Sequence, residues 1–307
     1  MSKAPHIIDL PPEQWQQASR EHSERLGPIA RAWALRRSRN EKHPVHDFLF
    51  TYYSFSATKL CQWLPPLGHR LILPQPSWEL PINWPAHLLC RDSTRVWLDA
   101  RRMPAQIPKL AAWVAELCTA VASRPAHFRC YGLHEWAMVY RQSPEQRRHR
   151  LVPLRLNDDE VNAVVEQLPL RCTHYDAFRF FTESAKPLNP LSPTLEQRMQ
   201  LEQSGCLHAN MDLYKWCAKL WPWVGSDLLR ECFELALEGR ELDMRASPYD
   251  LSHLGYPPIA IETPAGRQDY ETYQRILSAK ASGTRRQLGA AARQLASEGQ
   301  QLTNDSV

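Results

Sequence analysis

Apolar residues recur at steps of three and four along most of this 307-residue chain, and this spacing is the feature that most restricts its fold. The spacing predicts helices over residues 12–38, 45–63, 108–122, 133–141, 157–167, 175–181, 194–203, 209–220, 226–240 and 267–295. Prolines crowd the segment 64–108, so we expect any strands to lie there, as short ones near 70–73 and 96–98. The chain is therefore predicted to be mainly α, a compact multi-helix globular fold with a Pro-rich irregular or short-strand insertion.

Local signals refine three of these helices. Gly27-Pro28 predicts an interruption in the first helix, because proline removes a backbone donor. Asn157 offers a side-chain cap at the start of the helix over 157–167. The aromatic stretch 45–63 is predicted to be helical, although its Thr, Tyr and Phe residues also favour strands.

The composition is that of an ordinary globular protein, with 43% hydrophobic and 23% charged residues. We expect a single domain over 1–298, which includes the Pro-rich segment at about 64–108, and a disordered tail over 299–307. No apolar run approaches the roughly 18 residues of a membrane span, and the N-terminus has no signal-peptide core, so a cytoplasmic protein is expected. The eight cysteines form no C-x-x-C pair and are expected to be free thiols.

The formal net charge of +4 permits binding to nucleic acid without requiring it. Arginines cluster at three places: Arg36, Arg37 and Arg39; Arg147, Arg148 and Arg150; Arg285 and Arg286. We interpret these clusters first as solvated helix faces, with phosphate contacts as the alternative.

Four short segments each place a histidine beside a carboxylate: HPVHDF, GLHEW, CTHYDAF and CLHANMDLY. Histidine is the commonest metal ligand, and an adjacent carboxylate can ligate, orient the ring or accept a proton. The candidate metal ligands are His46, His134, His174 and His208, and iron, manganese or zinc would suit them. The paired carboxylates are Asp47, Glu135, Asp176 and Asp212. Four such segments indicate one site assembled from several elements.

The spacing within these segments limits which residues can cooperate. His208 and Asp212 are four apart, so on a helix they share one face and could both reach one ion. The adjacent pair His46 and Asp47 resembles the doublet of the HD superfamily of all-α metalloenzymes, where His22 and Asp250 would complete the order of residues. A di-iron helical protein is a related possibility, although its usual E-x-x-H pattern is missing.

The segment 241–256 is a second concentration of charge. Asp243 or Asp250 could act there as a general base, while Arg245 binds an anionic group. Alternatively, Glu241 and Arg245 form an i,i+4 salt bridge on the helix surface.

A family resemblance joins these motifs. The segments KHPVHDFLFTYYSF, GLHEWAMVYR, CTHYDAFRFF, GCLHANMDLYKW and ELDMRASPYDL, with IETPAGR, resemble a bacterial family commonly labelled 3-methyladenine DNA glycosylase. The resemblance runs from about His22 to Tyr270. It implies hydrolysis of an N-glycosidic bond in damaged DNA, with an aromatic cage for the cationic base and a carboxylate that stabilises the oxocarbenium ion or activates water.

The resemblance supplies one set of roles for the candidate residues. The catalytic carboxylates would be among Asp47, Glu135, Asp176, Asp212 and Asp250. The substrate would be bound by Tyr52, Trp136, Tyr175, Tyr214, Trp216 and Arg245. The alternative is a helical non-haem metalloenzyme, an HD-like hydrolase or di-iron oxygenase, that acts on a small molecule. The sequence leaves both classes open, and a non-catalytic binding protein fits it least.

Overall fold

The computed structural model describes residues 7–147 and 152–304. Within these residues the chain forms eleven α-helices and one small four-stranded sheet, so the prediction of a mainly α protein is confirmed. The helices are α1 Pro12–Ser38, α2 His46–Thr51, α3 Ala57–Leu60, α4 Gln106–Ser123, α5 Leu133–Ala137, α6 Asp158–Gln167, α7 Tyr175–Phe178, α8 Arg198–Leu201, α9 Leu207–Leu220, α10 Ser226–Ala246 and α11 Pro264–Asn304. The strands are β1 Ile8–Leu10, β2 His69–Ile72, β3 Leu89–Arg91 and β4 Arg95–Leu98.

The chain divides into two compact units. Unit 1 comprises residues 1–116, 214–233 and 286–307, and unit 2 comprises residues 117–213 and 234–285. The single domain that the sequence predicts over 1–298 stays a prediction. No helix of the described residues is long and apolar enough to cross a membrane.

Unit 1 contains the sheet, whose strand order is β1-β2-β4-β3. Strand β1 pairs with β2 in parallel, and β4 is antiparallel to both β2 and β3. Strands β2 and β4 match the predicted positions near 70–73 and 96–98. Strand β1 lies outside the Pro-rich segment, where no strand was expected, because it gains its ladder hydrogen bonds from β2 some sixty residues later in the chain.

Helix α1 runs without interruption through Pro28, so the predicted break is wrong. Proline removes one backbone hydrogen bond, but Leu26 and Ala30 on either side of it are buried, and the helix packs against α3 and β2. Burial of this face stabilises the helix across its weakest point.

The aromatic stretch 45–63 folds as two short helices, α2 and α3, rather than as one helix. Ser54 between them has φ near 54°, a left-handed conformation that ends the first helical segment. Ser56 then caps α3, because its side chain accepts a hydrogen bond from the backbone N–H of Lys59. A strand, the alternative for this stretch, does not form here.

Unit 2 is built from α5 to α8 and from parts of α4, α9, α10 and α11. Asn157 caps α6 in a reciprocal capping box with Glu160, as its side chain predicted. Three predicted helices are shorter than expected: α5 ends at Ala137, and α7 and α8 each have four residues. These short, partly irregular segments carry several of the polar side chains described below.

Helix α11 is longer than the spacing predicts. It continues to Asn304 and so includes residues 299–304, for which disorder was expected. Residues 305–307 of that tail and Arg148 and Arg150 of the second arginine cluster lie outside the described residues. Arg285, which was expected on a solvated face, is only 3% exposed and donates to the Asn210 side chain.

Candidate functional site

Three of the four predicted histidine ligands meet inside unit 2. The rings of His134 and His208 have centroids 4.3 Å apart, and those of His174 and His208 have centroids 5.5 Å apart. They come from α5, the residue before α7, and the first turn of α9. Each ring lies among carboxylates, and together the side chains form two neighbouring clusters.

The first cluster, here called the open cluster, consists of His134, His208 and Asp243. One ligand atom from each residue lies within 4.8 Å of the others, a spacing that could hold a metal ion. His134 Nε2 is 2.6 Å from Asp243 Oδ1, and Asp243 is fully buried on α10. The other oxygen of Asp243 accepts from Arg240 Nη1 at 2.9 Å.

Close helix packing sets this geometry. A Cβ at Gly239 would lie 2.7 Å from Met211 Cγ, so only glycine lets α10 approach α9 this closely in unit 2. Gly132, just before α5, has φ near 73°, and a Cβ there would lie 3.2 Å from the Cβ of Ala246. Both glycines therefore stand where the backbones that carry the open cluster meet.

The second cluster, here called the closed cluster, consists of His174, Glu202 and Asp212. Their ligand atoms also lie within 4.8 Å of one another, and all three side chains are at most 2% exposed. His174 Nε2 lies 3.3 Å from Asp212 Oδ2 and 3.4 Å from Glu202 Oε1, but neither ring nitrogen has a partner with hydrogen-bonding geometry among the described residues. Arg198 lies beside the same carboxylates, 3.3 Å from Asp212 and 3.4 Å from Glu202.

Helix α9 contributes to both clusters. His208 and Asp212 are four residues apart on this helix, but they belong to different clusters. The described geometry therefore places the two side chains in different candidate metal sites, whereas the sequence predicted that both could reach one ion. Instead, one face of α9 carries a ligand for each cluster.

Electrostatics distinguish the three histidines. Burial, with the charges of His134 and His174, holds the pKa of His208 well below its ordinary value, so its ring is neutral and has a free lone pair at neutral pH. Burial also disfavours the charged form of His134, but the carboxylates of Asp243 and Glu135 outweigh it and raise its pKa. For His174, the carboxylates of Glu202 and Asp212 likewise outweigh burial and raise the pKa.

Buried arginines pair with the carboxylates of both clusters. Beside the open cluster, Arg240 bridges Glu135 at 2.7 Å and Asp243 at 2.9 Å. Around the closed cluster, the buried Arg198 faces Asp176, Glu202 and Asp212. The exposed Arg179 pairs with Asp176, and the buried Arg285 lies within electrostatic range of Glu202. The raised pKa values of His134 and His174 reflect the same carboxylates, so positive and negative groups are buried together in each cluster.

The two clusters differ in access. His134 and His208 line a small cavity of about 40 Å³, which holds one or two water-sized groups. The three residues of the closed cluster do not line it. Cys130, Cys172 and Cys206 also line the cavity, and burial raises the pKa of Cys172 to about 12, so that thiol stays protonated. The open cluster therefore has a free side and the closed cluster has none in the described residues.

The remaining predicted residues of unit 1 have structural partners there. His46 stacks on the His43 ring, with centroids 4.4 Å apart. Asp47 accepts from Arg36 at 2.6 Å and from the backbone N–H of His43 at 2.8 Å. Neither residue belongs to the two clusters. The aromatic candidates of unit 1 pack against other rings: Tyr52 on Phe48, Tyr214 on Tyr53, Phe55 and Phe233, and Trp216 on Trp113.

The other predicted residues of unit 2 also have local roles. Trp136 is fully buried and donates to the Ala246 carbonyl at 2.8 Å, so it belongs to the core. Asp250 accepts from the Ser252 backbone N–H, which stabilises a turn and lowers the pKa of Asp250. Arg245 donates to the Pro257 carbonyl at 3.0 Å. Tyr175 is half-buried at the start of α7, next to His174.

Sequence reasoning missed Glu202, Arg198 and Arg240. None of them lies beside a histidine in the chain, so the pattern used to find the site did not include them. One signal was present: Arg198 and Glu202 are four apart, and Arg240 and Asp243 are three apart, which are the spacings of ion pairs on one helical face.

The chain has no match among the family models, the curated proteins or the solved structures with which it was compared. The site is therefore interpreted from its own residues.

Proposed function

We propose that the chain is a metalloenzyme whose open cluster, His134, His208 and Asp243, binds one divalent transition-metal ion. The observation that carries the proposal is the convergence of two imidazoles and one carboxylate, from three helices, on a point that borders a cavity. Catalytic metal sites combine three protein ligands with an open position, whereas structural sites are closed. The cavity that His134 and His208 line would supply that position.

The donor set fits such an ion. Nitrogen and carboxylate oxygen donors suit iron, manganese and zinc, and two histidines with one carboxylate occur in both non-haem iron oxygenases and zinc hydrolases. A bound ion would activate a water molecule or a substrate oxygen for reaction with a small molecule. His208, whose low pKa keeps it neutral, is ready to ligate without losing a proton first.

The neighbouring side chains would position the ligands. Arg240 holds the second oxygen of Asp243 at 2.9 Å and is itself held by Glu135 at 2.7 Å. Such contacts around ligands orient them and tune their basicity. The His174 ring stacks on His208 with an interplanar angle of 28°, which restricts the orientation of the His208 ring.

The arrangement favours the metalloenzyme over the glycosylase. A glycosylase for cationic bases needs an aromatic cage, but among the described lining residues of the cavity Phe181 is the only aromatic side chain besides histidine. The candidate cage residues Trp136 and Tyr214 are core residues, at 0% exposure.

Elemental analysis of purified protein, supplied with iron, manganese or zinc, tests the proposal. We expect about one ion per chain, from the single open cluster. His208→Ala should lose most of it, while His46→Ala, a matched histidine variant in unit 1, should keep it. Circular dichroism of both variants checks that they fold.

Three outcomes would overturn the proposal. The first is a wild-type protein that binds none of these metals. The second is loss of metal from His46→Ala but not from His208→Ala. The third is release of 3-methyladenine from methylated duplex DNA at an unchanged rate in the presence of chelator, which would favour the glycosylase instead.

A further inference from the structure

A large cleft in unit 2 carries a concentration of positive charge. The cleft has a volume of about 870 Å³ and is lined by Arg129, Arg171, Arg267 and Arg275, with Glu271 as the acidic side chain among its described lining residues. Four arginines and one glutamate leave three positive charges. A volume of this size is within the range for small-molecule ligands.

The four arginines fall into two pairs. Arg267 donates to the carbonyls of Ile261 and Glu262, and Arg275 donates twice to Glu271, so both are held within the protein. Arg129 and Arg171 are exposed and make no hydrogen bond or ion pair with the described residues. Their guanidinium groups are therefore available to an external anion.

The available pair stands beside the proposed metal centre. Arg129 and Arg171 line the large cleft and also the small cavity that His134 and His208 line. Arg129 lies five residues before His134 in the chain. The turn between them contains Tyr131 at φ near 47° and Gly132 at φ near 73°. A bulky residue in the left-handed region is strained, and such strain persists where the surrounding structure holds it.

We infer that the substrate is a small molecule that carries a phosphate or carboxylate group, and that Arg129 and Arg171 bind this group at the boundary between the cleft and the cavity. This inference rests on the proposed function for the reaction of the substrate, but binding of its anionic group by the two arginines does not require the metal. Guanidinium groups bind both anions through two parallel N–H···O hydrogen bonds. An anion held there would direct the rest of the molecule toward His208.

The small number of available arginines favours a small molecule over nucleic acid. The cleft shares Arg129 and Arg171 with a cavity that holds only one or two water-sized groups, so the two available guanidinium groups belong to one bounded site. Phosphate contacts to a duplex instead repeat along the nucleic-acid backbone.

Calorimetric titration with inorganic phosphate and with succinate tests the inference. Wild-type protein should bind at least one of them with 1:1 stoichiometry, both as purified and after treatment with chelator, because the arginine site does not need the metal. The double variant Arg129→Gln with Arg171→Gln should bind at least about 10-fold more weakly, since it loses charge-assisted hydrogen bonds. Arg293→Gln, an exposed arginine outside the cleft, should bind like the wild type. Preference for phosphate or succinate identifies the anionic group.

Several results would overturn the inference. They are the absence of binding to the wild type, equal binding to the double variant, or tight binding of a duplex oligonucleotide with steep salt dependence that the double variant loses. Metal analysis of the same samples separates the two proposals. If anion binding is intact but no metal is bound, the proposed function fails and the anion site stands.

Discussion

The histidine–carboxylate segments of the two units look alike in the sequence but differ in the structure. In unit 1, His46 and Asp47 are half-buried, and the carboxylate is paired with Arg36 and a backbone N–H. In unit 2, His134, His174 and His208 meet among buried carboxylates and the buried arginines Arg198 and Arg240. A histidine beside a carboxylate is therefore a candidate metal ligand only where several such segments are buried together, because burial brings their donor atoms within reach of one ion and strengthens the electrostatic interactions between them.

The largest expected effect comes from the ion pairs. Arg240→Met removes the buried cation between Glu135 and Asp243, and the free energy of unfolding should fall by about 3–5 kcal/mol, because two buried carboxylates lose a hydrogen-bonded positive charge. Urea denaturation followed by circular dichroism measures it. Arg36→Met in unit 1 is the control. Its pair with Asp47 is 16–17% exposed, so the loss should be about 1 kcal/mol or less. Equal losses in both variants would contradict the contrast between the units.

Removal of metal should have the next largest effect. With free metal at about 100 times its Kd, binding stabilises the folded state by about 2.7 kcal/mol, and excess chelator should remove this amount. Urea denaturation with and without chelator measures the difference. His208→Ala should be insensitive to chelator, and His46→Ala should respond like the wild type. A chelator effect that survives in His208→Ala would place the ion elsewhere.

A smaller effect is expected from the carboxylate of unit 1. Asp47→Asn should lower the free energy of unfolding by about 0.5–1 kcal/mol, since it weakens a partly exposed ion pair with Arg36. Its metal content should equal that of the wild type. If Asp47→Asn instead loses metal, the doublet of His46 and Asp47 takes part in the centre, as the HD-like order of residues suggested.

The smallest expected effect concerns pH. His22, buried in unit 1, bonds to the Leu60 carbonyl instead of a carboxylate, and burial lowers its pKa while Asp227 and Arg230 act in opposite directions. A lowered folded-state pKa means that the unfolded chain binds the proton more tightly. The contribution of neutral His22 to the free energy of unfolding is therefore full above the unfolded pKa of about 6.5, and it is lost as pH falls through the folded pKa. For His134 the pKa is raised, so its contribution to stability is full below the unfolded pKa and is lost as pH rises through the folded pKa.

Replacement of His22 tests this sign. In His22→Gln, which keeps a side-chain N–H donor, the free energy of unfolding should fall less steeply between about pH 7 and pH 5 than in the wild type. Urea denaturation across that range measures the slope. A steeper slope in the variant would show that His22 gains rather than loses its proton on folding.

Much of the local structure follows from short-range patterns in the chain. Helical spacing placed most of the helices, and the Asn157 side chain identified the start of α6, since a cap acts within one helical turn. Strands β2 and β4 lie near their predicted positions. The break at Gly27-Pro28 failed because packing of the helix face overrode a local rule. Histidine and carboxylate content also identified four of the six residues of the two clusters, His134, His174, His208 and Asp212.

Only the tertiary structure decided which of these residues act together. His134 and Asp243 are 109 positions apart in the chain, and no periodicity relates them. Their contact depends on the packing of separate helices, which Gly239 and Gly132 permit by close approach. The same packing divides His208 from Asp212, although they share a helix face, and leaves His46 on a local stacking partner. Spacing along a chain reports neighbours on one element, whereas a site of this kind is made by contacts between elements.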